Sequence, residues 1–313
     1  MAAIAPSTGT GKYERLLERC QTLPAVPTAV VHPCEATALS AALEASERGL
    51  IFPILVGPRE KLEATAESIG VDLSEVAKVD VPHSHAAAAK AVELVREGSA
   101  EILMKGSLHT DELMGAIVAR DRGLRTARRI SHAFVMDVPT YHKVLIITDA
   151  AINIAPTLED KVDICQNAID LAISLGREQP KVAILAAVET VNSKMPATLD
   201  AAALCKMAER GQIKGGILDG LLAFDNAISK QAAQTKGIHS EVAGDPDILL
   251  APDLEAGNIL AKQLSFLANA DSAGIVLGAR VPVILTSRAD SVRARIASCA
   301  VAMLVAYARR SNA

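Results

Sequence analysis

Short aliphatic and β-branched runs alternate through the first half of the chain with longer Ala- and Glu-rich stretches whose apolar positions recur at helical spacing. Thr28 to His32 predicts a strand, and the segment through Glu44 and Arg48 predicts a helix. Ile51 to Val56 predicts the next strand, ended by Gly57-Pro58 before the helical stretch KLEATAESIG. After Val79 to Val81 comes AAAAKAVELVREG, a helix closed by Gly98, and then a strand from Glu101 to Met104 that enters a turn at Gly106. Such alternation predicts an α/β fold with a largely parallel sheet covered on both faces. Further on, strands are expected at AFVMDV, Val144 to Thr148, Lys181 to Ala186, Ile213 to Leu218, Ile248 to Ala251, Ala273 to Leu277 and Val283 to Leu285. Helices are expected from Glu159 to Leu175, ending at Gly176, and from just after Asp290.

A length of 313 residues suggests two domains, and with no low-complexity linker they are expected to share strands or a tight hinge. Composition narrows the partners. With 32 Lys and Arg against 36 Asp and Glu the formal charge is −4, and the chain holds four Phe, three Tyr and no Trp. It lacks both the basic stripe and the stacking platforms of a nucleic-acid binder. The most apolar stretch, Ile296 to Ala308, falls short of the roughly 18 residues needed to cross a bilayer and reads as a buried helix. The N-terminal stretch has no basic start followed by an apolar run, so no secretory signal is expected. Cys20, Cys34, Cys165, Cys205 and Cys299 form no CxxC pair, which points to free thiols and a cytoplasmic location.

Ligands of open α/β sheets bind at strand exits, so the polar clusters there are the candidate sites. The last strand runs into Thr286-Ser287-Arg288-Ala289-Asp290-Ser291 before a helix. A helix N-terminus beside an Arg and hydroxyls makes a compact anion site, for which phosphate is a natural guest; Asp290 or Ser291 could equally cap the helix. Lys105-Gly106-Ser107-Leu108-His109-Thr110 is a second exit, with donors from Lys105, His109 and Thr110 and a glycine that permits close approach of backbone. Ser131-His132, Asp149 with Asn153, Asp219 with Asp225, and Asn258 with Lys262 complete the set. The acid pairs do not have a spacing diagnostic of Mg²⁺, and no metal is expected. GTGK at residues 9–12 lacks the glycine spacing of a phosphate loop and reads as the leader to a helix. His83-Ser84-His85 has no third zinc ligand in reach and reads as a helix start, and no GxGxxG follows any strand.

Taken in order, KGSLHT, SHAFVMDVP, ITDAAINIAP, PKVAILAAVETVNSKMPAT, DGLLAFDNAIS, PDLEAGN and LTSRADS closely resemble the phosphate acetyl/butyryltransferase family, its butyryltransferase branch most of all. The resemblance spans roughly residues 10–310. It implies a two-domain α/β/α sandwich of the isocitrate/isopropylmalate dehydrogenase type, with the active site in the cleft between domains. Residues 1–140 with 283–313 would form the first domain and 141–282 the second, in a homodimer or larger homo-oligomer. The implied reaction moves a short acyl group, acetyl or butyryl, between coenzyme A and inorganic phosphate, with no covalently bound cofactor.

By the same resemblance, Ser287 contacts the reacting thiol and Arg288 binds the phosphoryl group. The family's catalytic-base Asp, seven residues after that Ser, is replaced by Ala294, leaving Asp290 or His132 as the candidate base. Lys105, Gly106, His109, Thr110, Ser131, His132, Asp149, Asn153, Asp219, Asp225, Asn258, Lys262 and Thr286 are the expected substrate contacts. Ala294 also keeps open a non-catalytic sensor of coenzyme A or acyl phosphate. A metal-dependent decarboxylating dehydrogenase of the same architecture would need clustered metal carboxylates and a nicotinamide site, neither visible in the sequence.

Overall fold

The computed structural model describes residues 11–286 and 290–311. The chain runs α1 (Lys12–Cys20), β1 (Val26–Val31), α2 (Ala36–Glu47), β2 (Ile51–Gly57), α3 (Arg59–Ile69), β3 (Ala77–Asp80), α4 (Ser84–Arg96), β4 (Ile102–Lys105) and α5 (Thr110–Val118). It continues through β5 (Ser131–Asp137), β6 (Leu145–Thr148), α6 (Leu158–Ser174), β7 (Lys181–Leu185), α7 (Pro196–Glu209), β8 (Ile217–Leu222), α8 (Phe224–Ile228) and α9 (Lys230–Thr235). It closes with β9 (Ile248–Leu250), α10 (Leu254–Leu267), β10 (Asp271–Leu277), β11 (Val283–Ile284) and α11 (Val292–Ser311).

All of these strands join one sheet in the order β3-β2-β1-β4-β11-β10-β5-β6-β9-β7-β8. The expected parallel pairing holds within each half, from β3 to β11 and from β6 to β8. Between the halves the sheet is antiparallel, because β10 opposes both β11 and β5 while β5 opposes β6. The two parallel halves therefore point in opposite directions. β8 begins four residues later than the sequence predicts, since Gly215 takes φ +84° and Gly216 packs against the Pro180 carbonyl; the strand starts only beyond this pair.

Side-chain alternation divides the core. On one face, Ala133, Val135, Ala273, Ile275 and Ile284 join a continuous layer under α1, α2, α6 and α11. On the other, Val276, Val283 and Leu285 belong to a lobe with residues of α4 and α5, whereas Met136, Leu145 and Ile147 belong to a separate lobe with Ala227, Ala233 and Ala261 of α8, α9 and α10. On this face the two lobes are separate apolar clusters on either side of β10 and β5. α11 buries Ala294 through Ala306, which is why its aliphatic run belongs to the interior. Among the described residues no helix is long and apolar enough to cross a membrane.

Candidate active site

The exit of β4 is strapped to the exit of β1. The Gly106 and Ser107 N–H groups donate to the carbonyls of Val31 and His32, both at 2.9 Å. Ser107 Oγ donates to the His32 carbonyl at 2.7 Å and accepts from Cys34 N–H at 3.2 Å. A Cβ on Gly106 would lie 2.4 Å from the Val31 oxygen and 2.6 Å from that of His32, so only glycine lets the two exits meet. Lys105 is 5% exposed although it ends a strand, with Nζ 3.3 Å from the Gly106 carbonyl. His109 and Thr110 lie exposed where α5 begins, and the His109 side chain makes no capping bond there.

β11 lies beside β4, so Thr286 enters the same region. Thr286 Oγ1 accepts from Arg295 Nη1 at 3.0 Å, and Arg295, 4% exposed, lies in the first turns of α11. Burial pulls its guanidinium pKa below the ordinary arginine value, and Asp290 foremost, then Cys299 and Glu35, act against that shift. Ser291 Oγ accepts from Ala294 N–H at 3.2 Å, so a hydroxyl of the predicted cluster caps α11. Ser287 and Arg288, the sequence's strongest candidates, lie outside the described residues. Arg295 escaped the sequence reading, although a cation at the head of the run IASCAVAMLVA was a legible sign of a buried charge.

His132 on β5 is 1% exposed. Its ring donates to the carbonyl of Leu285, the residue before Thr286. Gly274 makes this contact possible, because a Cβ there would lie 2.5 Å from the Leu285 oxygen and 3.3 Å from His132 Nε2. Among the described residues, Nδ1 is buried without a partner. Burial pushes the imidazole pKa down to about 4, against the opposing charge of Asp149. This depressed value disfavours His132 as the base at neutral pH. An unfolded His takes up its proton near pH 6.5, so the native state should lose stability as pH falls from about 6.5 towards 4, by on the order of 3 kcal/mol. Urea midpoints measured across that range should show the decline in the wild type and a flatter profile in His132→Gln.

Other candidates serve the scaffold. Asp149 is 3% exposed, and its carboxylate accepts from the N–H groups of His132, Ala151, Ile152 and Asn153 and from the Asn153 side chain. Asn153 also binds the Ile130 carbonyl and Arg129 Nε, Ser131 Oγ accepts from Asn167, and Asn258 donates to the Ala150 carbonyl. In this conformation Asp149, Asn153 and Asn258 hold the turn after β6, and Ser131 is tied to α6. Asp219 and Asp225 are not brought to the site. β8 lies six strands from β11, about 29 Å at ordinary strand spacing, and Asp225 pairs with Lys236 at 3.4 Å. Lys262 is exposed on α10. His83 Nδ1 accepts from Ala86 N–H and His85 pairs with Glu112, in keeping with a helix start.

A cavity of about 300 Å³ lies on the opposite face of the sheet, among α1, α6 and α11. Of the basic groups around it, Lys12 pairs with Asp137, and Lys143 and Arg177 with Asp247.

The chain matches the family profile described as Phosphate acetyl/butaryl transferase over residues 84–303. It is 63% identical over 300 residues to the phosphate acetyltransferase of Rhizobium meliloti, covering 96% of this chain and 95% of that protein. It is 43% identical over 268 residues to the phosphate butyryltransferase of Clostridium acetobutylicum, covering 86% and 89% respectively. The structure matches that of a branched-chain phosphotransacylase from Enterococcus faecalis V583 with a TM-score of 0.77 at 29% identity, over 90% of this chain and 99% of that one. The motif order, the strapped exits of β1 and β4 and these matches agree, and the chain belongs to the phosphate acetyl/butaryl transferase family.

Proposed function

We propose that this protein transfers a short acyl group reversibly between coenzyme A and inorganic phosphate. The observation that carries the reading is the meeting of the β4 and β11 exits, where Lys105 and Arg295 bring two buried cations to the strand ends from which Thr110 and Arg288 follow. A phosphate oxygen attacks the thioester carbonyl, a tetrahedral oxyanion forms, the C–S bond breaks and coenzyme A leaves as thiolate or, once protonated, thiol. Arg288 and the N–H groups opening α11 neutralise the phosphate, while Ser287 or Thr110 donates to the oxyanion. In the reverse direction the thiol, with an ordinary pKa near 8.5, needs a base, and Asp290 is the carboxylate nearest in sequence to the Ser287-Arg288 pair. His132 holds the Leu285 carbonyl and so the start of the reacting loop.

The cysteines support direct attack over an acyl-cysteine. Burial pushes Cys299 and Cys165 up to about 12, Cys205 likewise, and Cys20 and Cys34 to about 11, so none is an effective thiolate nucleophile at neutral pH. The proposal keeps the two-domain division at 1–140 with 283–313 against 141–282, supported by the reversal of strand direction across β10 and β5. A dehydrogenase-like α/β/α sandwich, a homodimer or larger assembly, and a cytoplasmic site of action belong to the same reading.

Phosphate-dependent release of thiol from acetyl-, propionyl-, butyryl- and isobutyryl-CoA tests the activity. No release, with arsenate also ineffective, would leave a coenzyme A sensor instead. Asp290→Asn should lower turnover in the direction of acyl-CoA synthesis by about 100-fold and remove the acidic limb of its pH–rate profile, the one that reports protonation of the base. An unchanged profile would exclude Asp290 as the base.

A further inference from the structure

The apolar layer beneath α1, α6 and α11 is incompletely filled. Register sets Ala273 of β10 opposite Val135 of β5, and Val135 opposite Ile146 of β6, so one rung crosses the three strands at which the sheet reverses direction. Ala172 and Leu175 at the end of α6 and Ala297 of α11 complete an aliphatic lining around the cavity of about 300 Å³. Three of these six residues are alanines, and their short side chains leave open the space that leucine and isoleucine occupy elsewhere in the same layer. Protein interiors seldom keep a void larger than a water molecule, whereas this one equals about ten. Val135 points to the face of β5 opposite that of His132, and none of the described residues lining the cavity is an expected substrate contact.

Charge at the rim is unequal. The three lining carboxylates are already matched: Asp137 with Lys12 at 2.8 Å, Asp247 with Lys143 at 2.9 Å, and Asp271 with Arg293 at 2.7 Å. Arg15 and Arg19, one turn apart on α1, also line the cavity and are exposed. Arg19 donates to the carbonyls of Ser174 and Leu175, and among the described residues neither arginine has a carboxylate partner. An aliphatic floor beneath two such guanidinium groups suits a ligand with an alkyl chain and a negative head.

We infer that this cavity binds an aliphatic carboxylate the size of octanoate, its chain laid on the Ala273–Val135–Ile146 rung and its head at Arg15 and Arg19. The cavity draws α1 and α11 from one side of the proposed domain division and α6 from the other, a common position for ligand sites. The inference goes beyond the acyl transfer and needs no turnover to be tested.

Calorimetric titration of the full chain with butyrate, hexanoate and octanoate at neutral pH tests it. Octanoate should bind saturably at one site with a Kd of about 1 mM or tighter. Affinity should rise roughly fourfold for each added methylene across the series. Octanol, which keeps the chain without the charge, should bind at least about tenfold more weakly, and Arg15→Glu should weaken octanoate by about the same factor. Because Arg15 is exposed, that variant should keep the wild-type melting temperature. Saturating coenzyme A and phosphate should leave the octanoate affinity unchanged. Absence of saturable octanoate binding overturns the inference, as does equal binding of octanol or an unaltered affinity in Arg15→Glu. Displacement by coenzyme A or phosphate overturns it too, since the carboxylate would then occupy the substrate site.

Discussion

Arg288→Ala will reduce phosphate-dependent release of coenzyme A by about 1000-fold and leave the melting temperature within a few degrees of wild type. The site must gather a dianionic phosphate, a thioester and a developing oxyanion in a protein whose own formal charge is −4. Long-range attraction therefore contributes little, and the burden falls on a few cations at the strand ends. Arginine supplies a planar fork matched to two phosphate oxygens, and removing such a preorganised donor from a charged transition state typically costs 2.7–4 kcal/mol, about 100- to 1000-fold. Loss of the bidentate charge places this variant at the upper end. Arg288→Lys should recover only a small part, because an ammonium offers charge without the fork. Initial rates at saturating phosphate, set beside melting curves, check both statements. Turnover near the wild-type value in Arg288→Ala would remove Arg288 from the mechanism.

Gly106→Ala will damage both stability and activity. One added methyl would press on two backbone carbonyls, at 2.4 and 2.6 Å, and neither is the far end of a flexible side chain that could swing away. Either the β1–β4 strap opens or both loops shift. The overlap should cost about 3 kcal/mol or more, which for a chain of this size lowers the melting temperature by roughly 6–12 °C. Because Lys105 and Thr110 flank the strap, kcat/KM should fall by about 100-fold even in the fraction that stays folded, the usual consequence of misplacing a binding group by about 1 Å. Calorimetric melting and steady-state kinetics on the same preparation separate the two effects. The sensitivity is specific to position: at Gly115 an added Cβ meets nothing within 4 Å.

The strand and helix alternation was legible because parallel strands buried on both faces read as unbroken aliphatic runs, as β1 and β4 do. Reversal of the sheet at β10 and β5 was not, since strand direction depends on which edges pair and leaves no mark on composition. The exits of β4 and β11 stood out for their concentration of donors at helix starts. Asp149 and Asn153 carry the same residue types at a similar exit, yet their partners include backbone N–H groups and Asn153's own amide, which no residue pattern distinguishes from waiting ligand contacts. Asp219 and Asp225 were drawn from the same kind of exit, but β8 and the short helix after it lie at the far edge of the sheet, a position that residue type does not reveal.

The central position of β11 bears on how the protein is made. This two-residue strand, inserted between β4 and β10, comes late in the sequence, and α11 after it packs against β4, β10, β11, α1, α2 and α6. While residues 283–311 are still in the ribosome, β4 and β10 present bare edges in the middle of what will become the sheet. The nascent chain can form its local strand–helix units early but must wait for this last segment to join them. Closing such long-range pairing is slow and leaves apolar edges open to other chains. Synthesis rate and chaperone supply should therefore govern the yield of active protein more than the stability of the finished fold does.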